Sequence, residues 1–380
     1  MRAAAQLWLA GCVTALAALA MSYMVAACVA LRARLAPRAG RAPSAPPTTI
    51  LIPLCGADPG LYESLRTFCG QSCVDLQVIF GVRDPHDSAL DTVRRLQREF
   101  PQLDLRIVAN PLQHGSSAKV SNLINMMPLV RHEYLVVADG DVRVPPDYLE
   151  RVVAPLTDES VGIVTCLYRG CPRPGPWSLL GSLFINESFV PSARVAALLG
   201  SRSFAFGVTI ALRRAALHRI GGFAPLADQL PDDYRLGELT RRIGLRTVLS
   251  EVEVETYVNE GSLGKLVRHE LRWLRTIRTV RPLGYALAGV TFGLPVTILA
   301  SLLAGGSATT LLIIAVTALA RIMITSAPRR RLPHVAQLWL IPLNDLFVFA
   351  LWCWSFTTRR VHWRQTRYRV ARDGTAHPIG

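Results

Sequence analysis

Asp139-Gly140-Asp141 places two carboxylates one residue apart at the end of a short apolar run, residues 134–138. The run is too short for a helix and reads as a buried strand. Acids at the carboxyl end of such a strand lie where open α/β sheets bind ligands. Paired hard oxygens there suit a divalent cation that itself holds a diphosphate. Taken alone, the triplet reads more readily as a solvated turn, since Asp and Gly are ordinary turn residues.

Four further groups of residues carry chemistry. Asp84 follows the apolar run 76–82. A carboxylate there can accept hydrogen bonds from a base or a ribose, and Asp-Pro-x-x-Ser is also good helix-cap chemistry. Residues 114–122 contain a Gly/Ser-rich turn that opens a helix and carries Lys119. Free backbone N–H groups at such a helix start point at whatever lies beyond it, and Lys119 adds a point charge toward a phosphate. The Gly-x-x-x-x-Gly-Lys spacing of a P-loop is absent. Asp232 and Asp233 begin a predicted helix, where the dipole favours their charged forms. A deprotonated carboxylate there can act as general base toward a hydroxyl, or simply cap the helix. Finally, Arg272 can hold a diphosphate bidentately and Trp273 offers a flat apolar face, with His269 just before them. An interfacial Trp among snorkelling arginines has the same appearance.

The elements that must position these groups alternate between residues 48 and 257. Strands are expected over 49–53, 76–82, 104–108, 134–138, 161–167 and 207–212. Helices are expected over 61–69, 88–100, 118–130, 177–189, 213–220 and 231–243. Such alternation implies a largely parallel sheet covered on both faces.

The ends are different. The chain has 380 residues, 51% of them apolar, with a mean hydropathy of +0.29, too apolar for an ordinary soluble protein of this length. Residues 6–31 are nearly free of charge and long enough to span a bilayer. Residues 283–303, 307–325 and 335–357 are apolar again, the last interrupted by Pro342, Asn344 and Asp345. The net charge is +15, and arginines such as Arg32, Arg34, Arg38, Arg41 and Arg329–Arg331 flank the apolar segments, as in cytoplasmic loops facing anionic lipid. A third C-terminal crossing would put Arg359, Arg360, Arg364, Arg367 and Arg369 outside; a re-entrant break at 342–345 would keep them inside. No nucleic-acid-binding signature accompanies the charge. The eight cysteines show no paired CxxC spacing, so reduced thiols are expected.

The expected plan is therefore an N-terminal transmembrane anchor (1–31), a basic Pro-rich linker (32–47) and a catalytic domain (48–260). An amphipathic interfacial helix (261–282), transmembrane or re-entrant helices (283–357) and a basic tail (358–380) follow.

The order Asp84, Asp139-Gly140-Asp141, Asp233, Arg272-Trp273 resembles the pattern D, DxD, (E/D)D, (Q/R)xxRW. This is the pattern of processive-type family 2 and ceramide glucosyltransferase family 21 glycosyltransferases, and the likeness spans residues 48–281. Residues 184–233 and the tail 363–374 also resemble hopanoid-biosynthesis-associated glycosyltransferases. His269 departs from the pattern, which has Gln or Arg there.

The resemblance implies an α/β fold of GT-A (Rossmann-like) type with membrane-embedded helices at both ends. It implies that Asp84 binds the uracil or ribose of a UDP-sugar and that Asp139 and Asp141 hold the sugar nucleotide through Mg²⁺ or Mn²⁺. Lys119 joins them on the donor side. Asp233 would deprotonate the acceptor hydroxyl, with Asp232 and His269 behind it or beside the acceptor, and Arg272 and Trp273 would close over diphosphate and acceptor. The expected activity is inverting transfer of N-acetylglucosamine from UDP-GlcNAc to a membrane lipid, a hopanoid such as bacteriohopanetetrol. It would take place at the cytosolic face of a bacterial inner membrane that the chain crosses several times. Glucosylation of ceramide from UDP-glucose, a polysaccharide synthase and a non-enzymatic scaffold are the alternatives. Few C-terminal spans weigh against the synthase, and the full set of acids weighs against the scaffold.

Overall fold

The computed structural model describes residues 2–33, 45–303, 308–326, 338–358, 360–363, 366–371 and 373–379. The core of the expected linker (34–44), the Gly305-Gly306 break, Arg329–Arg331, Arg359 and Arg364 lie outside the described residues. The chain divides into two units. One comprises residues 34–171, 201–257 and 368–380; the other comprises residues 1–33, 172–200 and 258–367. The stretch 48–260 is thus not one contiguous unit: residues 172–200 leave it, and residues 368–379 return to it.

The first unit is built on eight strands: β1 (Thr48–Pro53), β2 (Leu76–Val82), β3 (Asp104–Ala109), β4 (Tyr134–Ala138), β5 (Val142–Arg143), β6 (Val161–Pro172), β7 (Thr209–Arg213) and β8 (Arg246–Val258). They lie in the order β3-β2-β1-β4-β7-β6-β8-β5. Strands β3, β2, β1 and β4 are parallel, whereas β7 pairs antiparallel with β4, β6 with β7, and β5 with β8. The largely parallel sheet expected from the sequence holds for one half only. A parallel neighbour needs a crossover, usually a helix. Helices Leu61–Cys69, Ala89–Glu99 and Ala118–Met126 supply those between β1 and β4, while residues 172–200, between β6 and β7, belong to the other unit.

Strands β1, β2 and β4 are buried along nearly their whole length. That is why each reads as a continuous apolar run rather than an alternation. Leu51, Ile79, Leu123, Met126, Leu135, Val137 and Leu212 share one core cluster. The chain moves from β1 to β2 and β3 on one side and to β4 on the other. The carboxyl ends of β1 and β4 therefore flank a switch point, where open α/β sheets bind ligands.

The second unit is helical. Helix Arg2–Arg32 covers the expected anchor. Its stretch Thr14–Arg32 has a mean hydropathy of 2.0 and, by length and composition, can cross a membrane. Residues 283–303 do not form one straight span: Pro282–Thr291 and Gly293–Leu302 meet at 73°. Pro295 has no N–H to bond the carbonyl four residues back, so the helical ladder is interrupted at this bend. Helix Ala308–Ser326 follows. The break considered at 342–345 is absent. Leu340–Ser355 is one helix with Pro342 in its first turn, where a missing N–H is tolerated. The amphipathic helix runs from Leu263 to Val280, with Ser262 accepting the Lys265 N–H as its N-cap, and buries Leu266, Glu270, Leu271 and Leu274.

Candidate active site

Four carboxylates lie within electrostatic reach of Lys119 in the sheet unit. Asp139 ends β4, with its N–H donated to the Val208 carbonyl at 3.1 Å. Lys119, in the first turn of helix Ala118–Met126, donates to Asp139 Oδ1 at 2.6 Å and reaches the Gly207 carbonyl at 3.4 Å. Asp141 Oδ2 accepts from Thr256 Oγ1 at 3.0 Å. Asp232 and Asp233 open helix Asp232–Arg242. They line, with Lys119 and Gly207, a cavity of about 20 Å³, room for a single water molecule.

Asp233 is the most firmly held of the four. Its Oδ2 accepts the Gly207 N–H at 2.8 Å and its Oδ1 the Tyr234 N–H at 2.7 Å. Gly207 permits this approach: a Cβ there would sit 3.1 Å from Asp233 Oδ2, closer than ordinary packing allows.

With all groups ionised, four carboxylates face one ammonium. Burial pushes the Asp233 carboxyl up from its usual 3.8 to about 6, and the neighbouring Asp232 adds to this. Burial and then Asp139 push Asp141 up to about 6 as well. Asp141 itself is open to solvent on one side. Asp232 is raised by burial, against the opposing pull of Lys119. For Lys119 burial acts downward, but Asp139 and Asp232 outweigh it and the net shift is upward.

A divalent cation would relieve this surplus of negative charge, and Asp139 and Asp141 would be the residues to hold it. Among the described residues no three His, Cys, Asp or Glu side chains converge as a metal-holding group. An ion held here would therefore complete its shell with phosphate oxygens and water, which is how Mg²⁺ is commonly bound.

Two expectations need correction. In the turn at 114–117 three of the four N–H groups are held within the protein and do not face a phosphate. His114 N–H goes to Ser121 Oγ, Ser116 N–H to Asp228 Oδ1 and Ser117 N–H to the Ala227 carbonyl. Nor does Asp84 cap the following helix, because Asp87 does so through the Ala89 N–H. Asp84 stands exposed beyond β2 and accepts the His86 N–H at 2.8 Å. No hydrogen bond or ion pair joins it to the acid cluster among the described residues.

The loop that leads into Asp232 is clasped by the C-terminal residues. Leu230 N–H donates to the Gly374 carbonyl at 3.1 Å, and Ala376 N–H to that of Asp228 at 2.8 Å. Tyr368 Oη donates to the Ser116 carbonyl at 3.4 Å.

In the helical unit, His269 Nδ1 lies 2.6 Å from Glu260 Oε1. Its ring stands edge-on to Trp273, with centroids 5.2 Å apart. Trp273 also packs against Phe184 and Phe189. His269 thus holds Trp273 from one side while tied to an acid on the other. Glu270 beside it is fully buried, and that burial lifts its carboxyl well above the usual range, helped by Glu260.

Residues 12–376 match the family model for glycosyl transferase family 21. The chain belongs to glycosyl transferase family 21. This family 21 chain is 22% identical over 251 residues to ceramide glucosyltransferase 1 of Caenorhabditis elegans, covering 63% of the chain and 53% of that relative. Ceramide glucosyltransferase 3 of the same organism is 20% identical over 235 residues, covering 61% and 50%. The chain spans about half the length of these curated relatives. A solved mannosyltransferase, PcManGT from Pyrobaculum calidifontis in complex with GDP-Man and Mn²⁺, shares 20% identity. It aligns at a TM-score of 0.54 over 91% of this chain and 98% of its own. That likeness gives the family 21 chain a mixed α/β glycosyltransferase fold.

Thr256, Gly207 and the C-terminal clasp were not among the family 21 candidates drawn from sequence. A signal existed for Thr256. The second half of strand β8 buries Val252, Val254, Thr256 and Val258, a period-2 pattern that places Thr256 on the inward face. Gly207 and the clasp are contacts across 26 and 144 residues (233 − 207; 374 − 230), with no local signature.

Proposed function

We propose that this family 21 glycosyltransferase moves a sugar from a UDP-sugar to the hydroxyl of a membrane lipid with inversion. The observation that carries the reading is the acid cluster at the carboxyl end of β4, with Asp233 held by two backbone N–H groups beside an under-neutralised Asp139–Asp141 pair. A carboxyl at about 6 is largely deprotonated at neutral pH yet basic enough to accept a proton.

In this reading Asp139 and Asp141 hold Mg²⁺ or Mn²⁺, which when bound supplies positive charge to the diphosphate leaving group. Lys119 holds Asp139 in place through its 2.6 Å contact. As the acceptor oxygen bonds to the anomeric carbon, its proton passes to Asp233. The bond to the nucleotide breaks, its electron pair leaving with UDP, and an α-linked donor gives a β-glycoside. Asp84 serves the nucleoside, Arg272 and Trp273 serve diphosphate and acceptor, and His269 orients Trp273.

The donor proposed is UDP-GlcNAc, and the acceptor an uncharged polyol lipid such as bacteriohopanetetrol. The chain would sit in a bacterial inner membrane as a multi-pass protein with its sheet unit cytosolic, the amphipathic helix Leu263–Val280 lying in the headgroup layer. The ceramide glucosyltransferases among its relatives favour a second reading, ceramide with UDP-glucose. The test is purified full-length protein with Mn²⁺ or Mg²⁺, each UDP-sugar paired with each lipid, and lipid mass spectrometry. The expected product is a monoglycosylated lipid. No glycolipid from any pair would overturn the reading.

A further inference from the structure

The Gly/Ser-rich turn before Lys119 directs two of its N–H groups to one place, the loop that leads to Asp232. Ser116 N–H donates to Asp228 Oδ1 at 2.7 Å, and Ser117 N–H to the Ala227 carbonyl at 2.8 Å. Gly115 lets the two backbones meet. A Cβ there would lie 2.6 Å from the Ala227 carbonyl oxygen and 2.7 Å from its carbon, well inside van der Waals contact.

A third segment closes the junction. Ala376 N–H donates to the Asp228 carbonyl at 2.8 Å, and Gln229 pairs with Thr375 as an antiparallel bridge. Tyr368 Oη donates to the Ser116 carbonyl at 3.4 Å. Ser116 is thus held at its N–H by Asp228 and at its carbonyl by Tyr368, across 112 and 252 residues of chain.

Both arms of the junction run directly into the acid cluster. Ser116 stands three residues before Lys119, and Asp228 four before Asp232. Ser117 Oγ accepts the Val120 N–H at 3.3 Å, so the turn also fixes how the helix that carries Lys119 begins. The two arms meet again at the small cavity, where Lys119 and Leu123 come from one and Leu226, Asp232 and Asp233 from the other. We propose that Gly115, Asp228 and Tyr368 are positioning residues: their junction sets the spacing between Lys119 and the Asp232–Asp233 pair, and with it the geometry in which Asp233 takes a proton. A general base must stand within hydrogen-bond reach of that proton, and a misplacement of about 1 Å can cost about 100-fold in rate. A single exposed bond such as that from Ser116 N–H to Asp228 adds little to global stability, so its loss is read in turnover rather than in folding. The inference rests on the transfer reading above, in which Asp233 is the base.

The test uses the full-length chain. Asp228→Ala is expected to lower kcat by about 10- to 100-fold, with donor and acceptor KM within about threefold of wild type. Asp228→Asn keeps an oxygen for the Ser116 N–H and is expected to hold kcat within about threefold of wild type. Tyr368→Phe, which loses the longer bond, lowers kcat by less than Asp228→Ala does. Amide hydrogen exchange supplies a readout that needs no substrate. In Asp228→Ala, residues 114–119 and 228–233 are expected to exchange faster together, while β1, β2 and β4 keep their wild-type rates. Should Asp228→Ala fail to fold, Gly115→Ala and Tyr368→Phe carry the same two measurements. Wild-type kcat in folded Asp228→Ala and Gly115→Ala, an Asn variant as impaired as the Ala variant, or faster exchange in one segment alone would overturn the proposal. Coupled exchange in a protein that makes no glycolipid upholds the junction and sinks the transfer reading; glycolipid formed at an unchanged rate by the junction variants does the reverse.

Discussion

Two charged clusters serve the two units, and they are compensated differently. In the sheet unit, Asp139, Asp141, Asp232 and Asp233 share one cation, Lys119, and all four are at least partly open to solvent. In the helical unit, Glu187 and Asp345 share Arg321, which engages Asp345 bidentately while all three are buried. The first cluster is short of positive charge and stores that deficit as carboxyls near 6. A deficit of this kind is a binding potential for cations and a reserve of basicity. The second engages its guanidinium on both sides, so its energy is locked into geometry.

The strongest way to break this contrast is Asp233→Asn. The substitution keeps shape and removes basicity, so kcat is expected to fall by about 100- to 10,000-fold with donor affinity preserved. A folded variant with normal turnover would remove Asp233 from its role. In the other cluster, Arg321→Leu strands two buried acids and is expected to cost about 3–5 kcal/mol of stability, measured by denaturation. The double variant Arg321→Leu, Asp345→Leu should recover a large part of that loss. A milder effect is expected from Gly374→Val, because Gly374 has φ +89° and a Cβ there would lie 3.1 Å from Pro231 Cγ. It should cost about 1–3 kcal/mol through strain and lower kcat more than KM, since the displaced loop carries Asp232 and Asp233.

The smallest effect is the most diagnostic of the charge deficit. Asp141 and Asp233 are raised from 3.8 to about 6 on folding. Their contribution to stability is therefore fully present below the unfolded value and is lost as pH rises through about 6. A cation that neutralises the cluster restores it. Added Mn²⁺ is expected to raise Tm by about 2–4 °C at about pH 8 and by much less at about pH 5. An equal shift at both pH values would mean that the ion does not read this deficit.

Sequence reasoning succeeded where a segment is buried on both faces. Residues 76–82 and 134–138 came out with the bounds of β2 and β4, because a short apolar run with abrupt polar ends has few other solutions. It failed at β8, which is half exposed and carries Glu251, Glu253 and Glu255. Its burial alternation also slips by one residue at Ser250-Glu251, as an extra residue in a strand produces, and the slip hides the period. The acids of the site were legible as types and order. Their mutual charge balance was not, because Lys119 reaches Asp139 only through the pairing of β1 with both β2 and β4. The pairing of Arg321 with Glu187 and Asp345 was equally hidden, since each residue stands alone in its own apolar segment.

The clasp of residues 368–379 on the loop before Asp232 also sets an order of events during synthesis. The ribosome makes every apolar helix of the second unit before it makes Gly374 and Ala376. The backbone bonds from Leu230 and to Asp228 therefore cannot close until those helices have been made. The loop presenting the acids gains its final support only after the helices that follow it in the chain have been translated.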